Sequence, residues 1–162
     1  MSASSVVLLP HAPSSVAVAR QRLSADLHAW GVFATAVDDA VLVVSELLSN
    51  ALRHARPLPS GQVKVAWQWA DGRVEVSVSD GGASTEPRAG RPTLSSLGGR
   101  GLGIVEHLAD RWGVMHDGVT TTVWAVVNAP YPSPNGDMAQ PEIGDLRERV
   151  SSEAHVPYGI PD

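Results

Sequence analysis

The sequence has no cysteine, one lysine (Lys64) and one phenylalanine (Phe33) in 162 residues. Without cysteine there is no disulfide, no thiolate metal site and no cysteine nucleophile. With a single lysine and no Gly-Lys-Ser/Thr anywhere, a Walker-type phosphate loop is excluded. Long apolar runs are missing as well. None approaches the ~18 residues of a membrane span, and no basic stretch followed by an apolar core opens the chain. This predicts a cytoplasmic protein with no membrane partner. Positive charge is scarce: 12 Lys and Arg against 17 Asp and Glu give a net charge of −5. That balance weighs against nucleic acid as a direct partner. What remains is 43% hydrophobic and 18% charged, long enough for one domain with a proper core.

The most informative stretch runs from Thr35 to Ala55, TAVDDAVLVVSELLSNALRHA. Val37, Val41, Val44, Leu48, Ala51 and Ala55 recur near the period of a helix. Thr35 with Asp38 resembles a capping box, and Pro57 stops the run. Ser45, Glu46, Ser49, Asn50, Arg53 and His54 share the opposite stripe. Glu46 and Asn50 stand one turn apart, so a carboxylate that can accept a proton lies beside an amide oxygen that can hold a hard cation. The plain alternative is a solvated polar stripe.

Ahead of this helix, Ser5 to Leu9 reads as an edge strand ended by Pro10. Ser14 or Ser15 can cap a helix carrying Val16, Ala19, Leu23, Leu27 and Trp30, with Gly31 as its stop. From Gln62 the period becomes two, with Val63, Val65, Trp67 and Trp69 on one face. Asp71-Gly72 signals a hairpin turn, and Val74, Val76 and Val78 return. Asp80 continues that inward series directly before Gly81-Gly82. A buried carboxylate needs a hydrogen-bonding task. A ligand would supply one; so would an Asp-Gly turn in which the side chain bonds its own backbone.

Residues Ala83 to Leu97 lack any apolar period, as functional lids and disordered segments do. Gly98-Gly-Arg-Gly-Leu-Gly-Ile104 then opens the helical run IVEHLADR, presenting free N–H groups that suit phosphate. The preceding strand of a dinucleotide fingerprint is missing. A strand pair around Asp117-Gly118 follows, in which Thr120, Thr122, Trp124 and Val126 alternate with Thr121, Val123, Ala125 and Val127. Six of the twelve prolines fall from Pro130 onward. The division expected is a domain over 1–129 and a flexible tail over 130–162, with at most a short helix near Ile143 to Val150, dispensable for most of the fold's stability.

Taken in order, the Glu-x-x-x-Asn helix, the Asp-x-Gly turn, the glycine-rich helix start and the threonine-bearing strand resemble the Bergerat ATP-binding fold of gyrase-type ATPases and histidine kinases. Glu46 to Ala55 looks like its N box, Asp80-Gly81-Gly82 its first glycine box, and Gly99-Arg-Gly-Leu-Gly103 its second. A stand-alone domain with RGLGIVEHLADRWGV followed by TTTVWA is similar to the anti-sigma factor serine kinases, over about Ser5 to Val127. The resemblance implies an α/β two-layer sandwich, a mixed and largely antiparallel sheet with helices on one face. It implies ATP and Mg²⁺ as cofactors, Asp80 with Thr122 at the adenine, and Asn50 on the metal. Gly82, Gly99, Arg100, Gly101, Leu102 and Gly103 would line the nucleotide, and Glu46 would be the catalytic base. The implied partners are an anti-anti-sigma protein as substrate and a sigma factor, and a homodimer is open. A non-catalytic, ATP-dependent binding module is the alternative function, and a bare structural domain a third. Two departures stand out: Ser84 where relatives often have a glycine, and Thr121 where many have a lysine before the threonine.

Overall fold

The computed structural model describes residues 2–83 and 102–132. β1 (Ser2–Pro10) leads through α1 (Ser14–Trp30) and α2 (Ala34–His54) to β2 (Gln62–Ala70) and β3 (Arg73–Asp80). α3 (Leu102–Leu108), β4 (Arg111–Asp117) and β5 (Thr120–Asn128) follow. The five strands lie in the order β1-β2-β3-β5-β4, and all four pairings are antiparallel. Among the described strands the sheet is therefore wholly antiparallel. Two helical passes between β1 and β2 bring the chain back antiparallel, and β5 inserts between β3 and β4.

The hairpins follow their turn residues. Ala70 pairs with Arg73 across Asp71 and Gly72, both at positive φ (53° and 72°), the conformation that matches strand twist. Asp117 pairs with Thr120 across Gly118 at φ 64° and Val119. β1 is an edge strand, as its terminal position implies.

One face of the sheet carries the core. Val63, Val65, Trp67, Val74, Val76 and Val78 are buried against Val37, Val43, Val44, Leu47 and Leu48 of α2 and Leu23 and Leu27 of α1. α2 is the central helix, packed on β3 and β5 with α1 and α3 beside it. Asp26 ties α1 to the sheet: its Oδ2 accepts from Ser5 Oγ at 2.7 Å and Trp67 Nε1 at 2.9 Å. The opposite face has no described helix, and Val6, Leu8 and Met115 there are exposed.

The helix starts differ from expectation. α2 begins at Ala34 with Phe33 as cap and no side-chain cap bond, which places Thr35 inside the first turn and leaves no capping box. α1 is capped at Pro13, and Ser15 Oγ instead donates to Pro10 O at 2.6 Å. Gly31 does end α1, at φ 94°. Past β5, Trp69 Nε1 donates to Ala129 O at 2.8 Å, and the Tyr131 ring lies 4.6 Å from that of Trp69. The first of the chain's two compact units accordingly runs to Tyr131. No described helix is long and apolar enough to cross a membrane. Residues 84–101, with most of the second glycine box, and the tail beyond Pro132 lie outside the described residues.

Candidate functional site

α2 buries Ala36, Val37, Ala40, Val43, Val44, Leu47, Leu48 and Ala51, a wide apolar face. Asn50 is buried within it at 8% exposure, so the polar stripe is not simply solvated. The residue is engaged by an interaction of its own; its Oδ1 is buried and accepts no hydrogen bond from the described residues. Glu46, one turn earlier, is half-buried; Arg53 and His54, beyond it, are exposed. Ser45 is occupied otherwise: its Oγ donates to Val41 O at 2.7 Å.

Asp80 ends the buried face of β3 with only 5% exposure. Its Oδ1 accepts the N–H of Gly82 at 2.8 Å, the self-bonded turn that the Asp-Gly pattern allowed. The turn thus engages Oδ1 of the carboxylate. Burial raises the Asp80 pKa; the Gly82 N–H and the nearby His11 and His116 pull it partly back.

The two glycines have separate steric reasons. A Cβ on Gly81 would sit 2.1 Å from Pro57 O, because the segment after α2 runs against this turn. Gly81 N donates to Arg56 O at 2.7 Å, Arg56 N donates to Gly82 O at 2.8 Å, and Ala55 bridges Ala83. Gly82 has φ 98°, a conformation that side-chain-bearing residues rarely adopt. His11 adds a further tie, its Nε2 hydrogen-bonded to Ala55 O at 2.9 Å. The end of the helix carrying Asn50 is thereby fastened to the turn carrying Asp80. Gly82 holds Asp80 and shapes the turn, and its N–H is already spent.

The strand register corrects one expectation. Asp80 pairs with Thr121, while Thr122 pairs with Ser79, and Ser79 Oγ lies 2.7 Å from Thr122 Oγ1 on the other face. Thr122 cannot reach the Asp80 carboxylate; Thr121, 9% exposed, is the hydroxyl beside it. A one-residue difference moves a side chain through the sheet. Sequence reasoning also missed His11 and His116. Neither sits in a motif, and only the fold brings them near Asp80. Gly99, Arg100 and Gly101 lie outside the described residues, as does the Leu102 side chain. Gly103 is exposed, and a Cβ there would meet nothing within 4 Å.

These residues can hold a nucleotide. A buried carboxylate at a strand end suits an exocyclic amine, and open space over Gly103 leaves room at a helix start. The buried Oδ1 of Asn50 suits a hard cation, which binds through oxygen. Among the described residues no cluster of three His, Asp or Glu forms a protein-only metal site.

The chain is also similar to known proteins. The chain is 27% identical over 133 residues to the serine-protein kinase RsbW of Listeria innocua, covering 74% of this chain and 85% of that one. It is 26% identical over 146 residues to the serine-protein kinase RsbW of Staphylococcus epidermidis, covering 82% and 92% respectively. In three dimensions it resembles the crystal structure of the RsbU and RsbW domains of Rv1364c from Mycobacterium tuberculosis, with a TM-score of 0.62 and 22% identity. That likeness covers 85% of this chain but 35% of the other, and it shows the fold alone. The model of the histidine kinase-like ATPase domain matches residues 9–127, from the end of β1 through β5, and the chain belongs to that family.

Proposed function

We propose that this protein binds Mg²⁺-ATP beside Asp80 and α2 and acts as a serine/threonine-protein kinase on a small anti-anti-sigma protein, thereby controlling a sigma factor. The observation that carries the nucleotide half is Asp80: a nearly buried carboxylate with one oxygen fixed by Gly82 and a hydroxyl, Thr121, beside it. Its Oδ2 would accept from the adenine amino group. Asn50 would hold the metal through Oδ1, and the metal would neutralise phosphate charge. Gly103, with Gly99, Arg100, Gly101 and Leu102, would surround the phosphates; that assignment rests on the resemblance of the glycine box.

Glu46 supports the kinase half. Half-buried and one turn from Asn50, it would take the proton of an incoming hydroxyl. The hydroxyl oxygen would form a bond to the γ-phosphorus as the bond to the β-phosphate oxygen breaks, leaving ADP. Positioning and charge neutralisation do most of the work in such transfers, which suits so spare a site. The relatives named serine-protein kinase support this reading at modest identity. The second reading is a binder that uses ATP without transferring phosphate.

Two substitutions test the proposal. Glu46→Gln keeps size and helix propensity, so ATP affinity should persist while phosphoryl transfer to a proven partner falls by ~10²–10⁴. Asn50→Ala should instead weaken Mg²⁺-dependent ATP binding, since it removes a ligand. Wild-type transfer by Glu46→Gln would remove Glu46 as the base. Tight partner binding without any transfer by the wild type would favour the binder.

A further inference from the structure

The row of side chains crossing the sheet at Asp80 holds one titratable group to which the nucleotide reading gives no task. β5 pairs with β3 so that Thr121 faces Asp80, and with β4 so that His116 faces Thr121. Residues paired in this way point to the same face, here the helix side. His116 Nδ1 is hydrogen-bonded to Thr121 Oγ1 at 3.1 Å. That oxygen lies 4.0 Å from where a Cβ on Gly82 would stand, and Val119 O lies 3.3 Å from the same point. The β4–β5 hairpin end therefore abuts the turn that holds the Asp80 carboxylate.

A threonine hydroxyl has one proton to give. A neutral ring in its Nε2–H tautomer accepts that hydrogen bond at Nδ1, and Thr121 can then only accept on its other side. An Nδ1 that carries hydrogen donates instead, and the hydroxyl proton is released toward whatever lies beside Asp80.

We propose that His116 is a positioning residue for the base end of the site: its protonation sets the polarity of the Thr121 hydroxyl and, with it, the affinity for an adenine nucleotide. The inference rests on Asp80 as the adenine acceptor, as proposed above. Adenine presents an amino donor next to a ring-nitrogen acceptor. Asp80 suits the first, and Thr121 suits the second only when its proton is free. Imidazole is the side chain that ordinarily changes charge between about pH 5 and 8. A charged His116 also helps keep Asp80 ionised, as His11 does, so both effects favour adenine in the same direction. The elements packed on β4 are β5 and α3. β5 offers no charged side chain at Thr121, and α3 carries exposed Glu106 and His107. Asp117 adjoins His116 on β4, Arg111 lies at that strand's far end, and among the described residues Asp80 and His11 add their charges.

The test is calorimetry of Mg²⁺-ADP binding between about pH 8 and about pH 6, the imidazole range. Wild type should gain affinity on acidification by ~3–10-fold more than His116→Gln, the worth of one neutral hydrogen bond. Glutamine keeps a polar group of similar reach that does not titrate. The phosphates of ADP titrate alike in both proteins and cancel. Thr121→Val should lose the same excess with His116 intact. By reciprocity, ADP should raise the pH at which the His116 ring titrates in the wild type, followed by NMR. Equal pH slopes in proteins that bind ADP, or a ring titration that ADP leaves unmoved, overturn the role of His116 alone. A folded wild type that binds no ADP overturns the nucleotide reading and this inference together.

Discussion

Asp80→Asn separates what the buried carboxylate does for the fold from what it does for a ligand. Burial raises the pKa of Asp80 above its ordinary 3.8, and the Gly82 N–H and two histidines only partly offset this. A raised value means that the folded chain holds the proton more tightly than the unfolded one. The stability contributed by this group is therefore full below the ordinary carboxylate value and is lost as pH rises through the folded one. At neutral pH the charged carboxylate is a net cost to the fold. Asparagine removes the charge, and its Oδ1 can still accept from Gly82 N, now at 2.8 Å. The variant should be the more stable protein in urea near pH 7, with the advantage shrinking as pH falls into the carboxylate range. The same change turns an amide N–H₂ toward the adenine amine, donor against donor. One lost buried polar contact costs about 1–3 kcal/mol, or roughly 5–150-fold in ATP affinity. Urea midpoints at neutral and acid pH, with calorimetry of ATP binding, measure both. Lower stability at neutral pH would refute the electrostatic account, and unchanged ATP affinity would refute the adenine assignment.

Two further outcomes follow from the geometry. Gly81→Ala should lose about 2–4 kcal/mol in urea unfolding, combining overpacking against Pro57 O with strain on the two bonds to Arg56; Gly103→Ala, in open space on α3, should be neutral or gain up to about 1 kcal/mol. Equal effects at the two glycines would mean that the close approach does not constrain the turn. A chain ended after Asn128 should be less stable than one ended after Pro132 by about 2–4 kcal/mol, because it lacks the Ala129 bonds to Gly72 O and Trp69 Nε1 and the Tyr131 ring contact. Matching urea midpoints would show that the 129–131 segment adds nothing to the fold.

The sequence by itself determined the elements whose signal is local. The period of α2, the alternation of β2 and β3, the Asp71-Gly72 turn and the stop at Gly31 depend on neighbours within a few positions, and all stand in the structure. It also determined that Asp80 points inward, because β3 alternates cleanly between Val74, Val76, Val78 and polar residues. Tertiary structure decided what local pattern left ambiguous. Along β5 the series Thr122, Trp124, Val126 is nearly as apolar as Thr121, Val123, Ala125, so the strand's inner face was not legible. Pairing with β3 chose it, and gave Asp80 the hydroxyl of Thr121 in place of Thr122. The helix starts were likewise decided by how the chain enters from its neighbours: Phe33 and Pro13 occupy the caps, and Ser15 bonds the end of β1. The pull of His11 and His116 on Asp80 belongs wholly to the fold. Their separation along the chain carries no period or spacing, and only the closing of the sheet and the fastening of α2 bring their charges to one carboxylate.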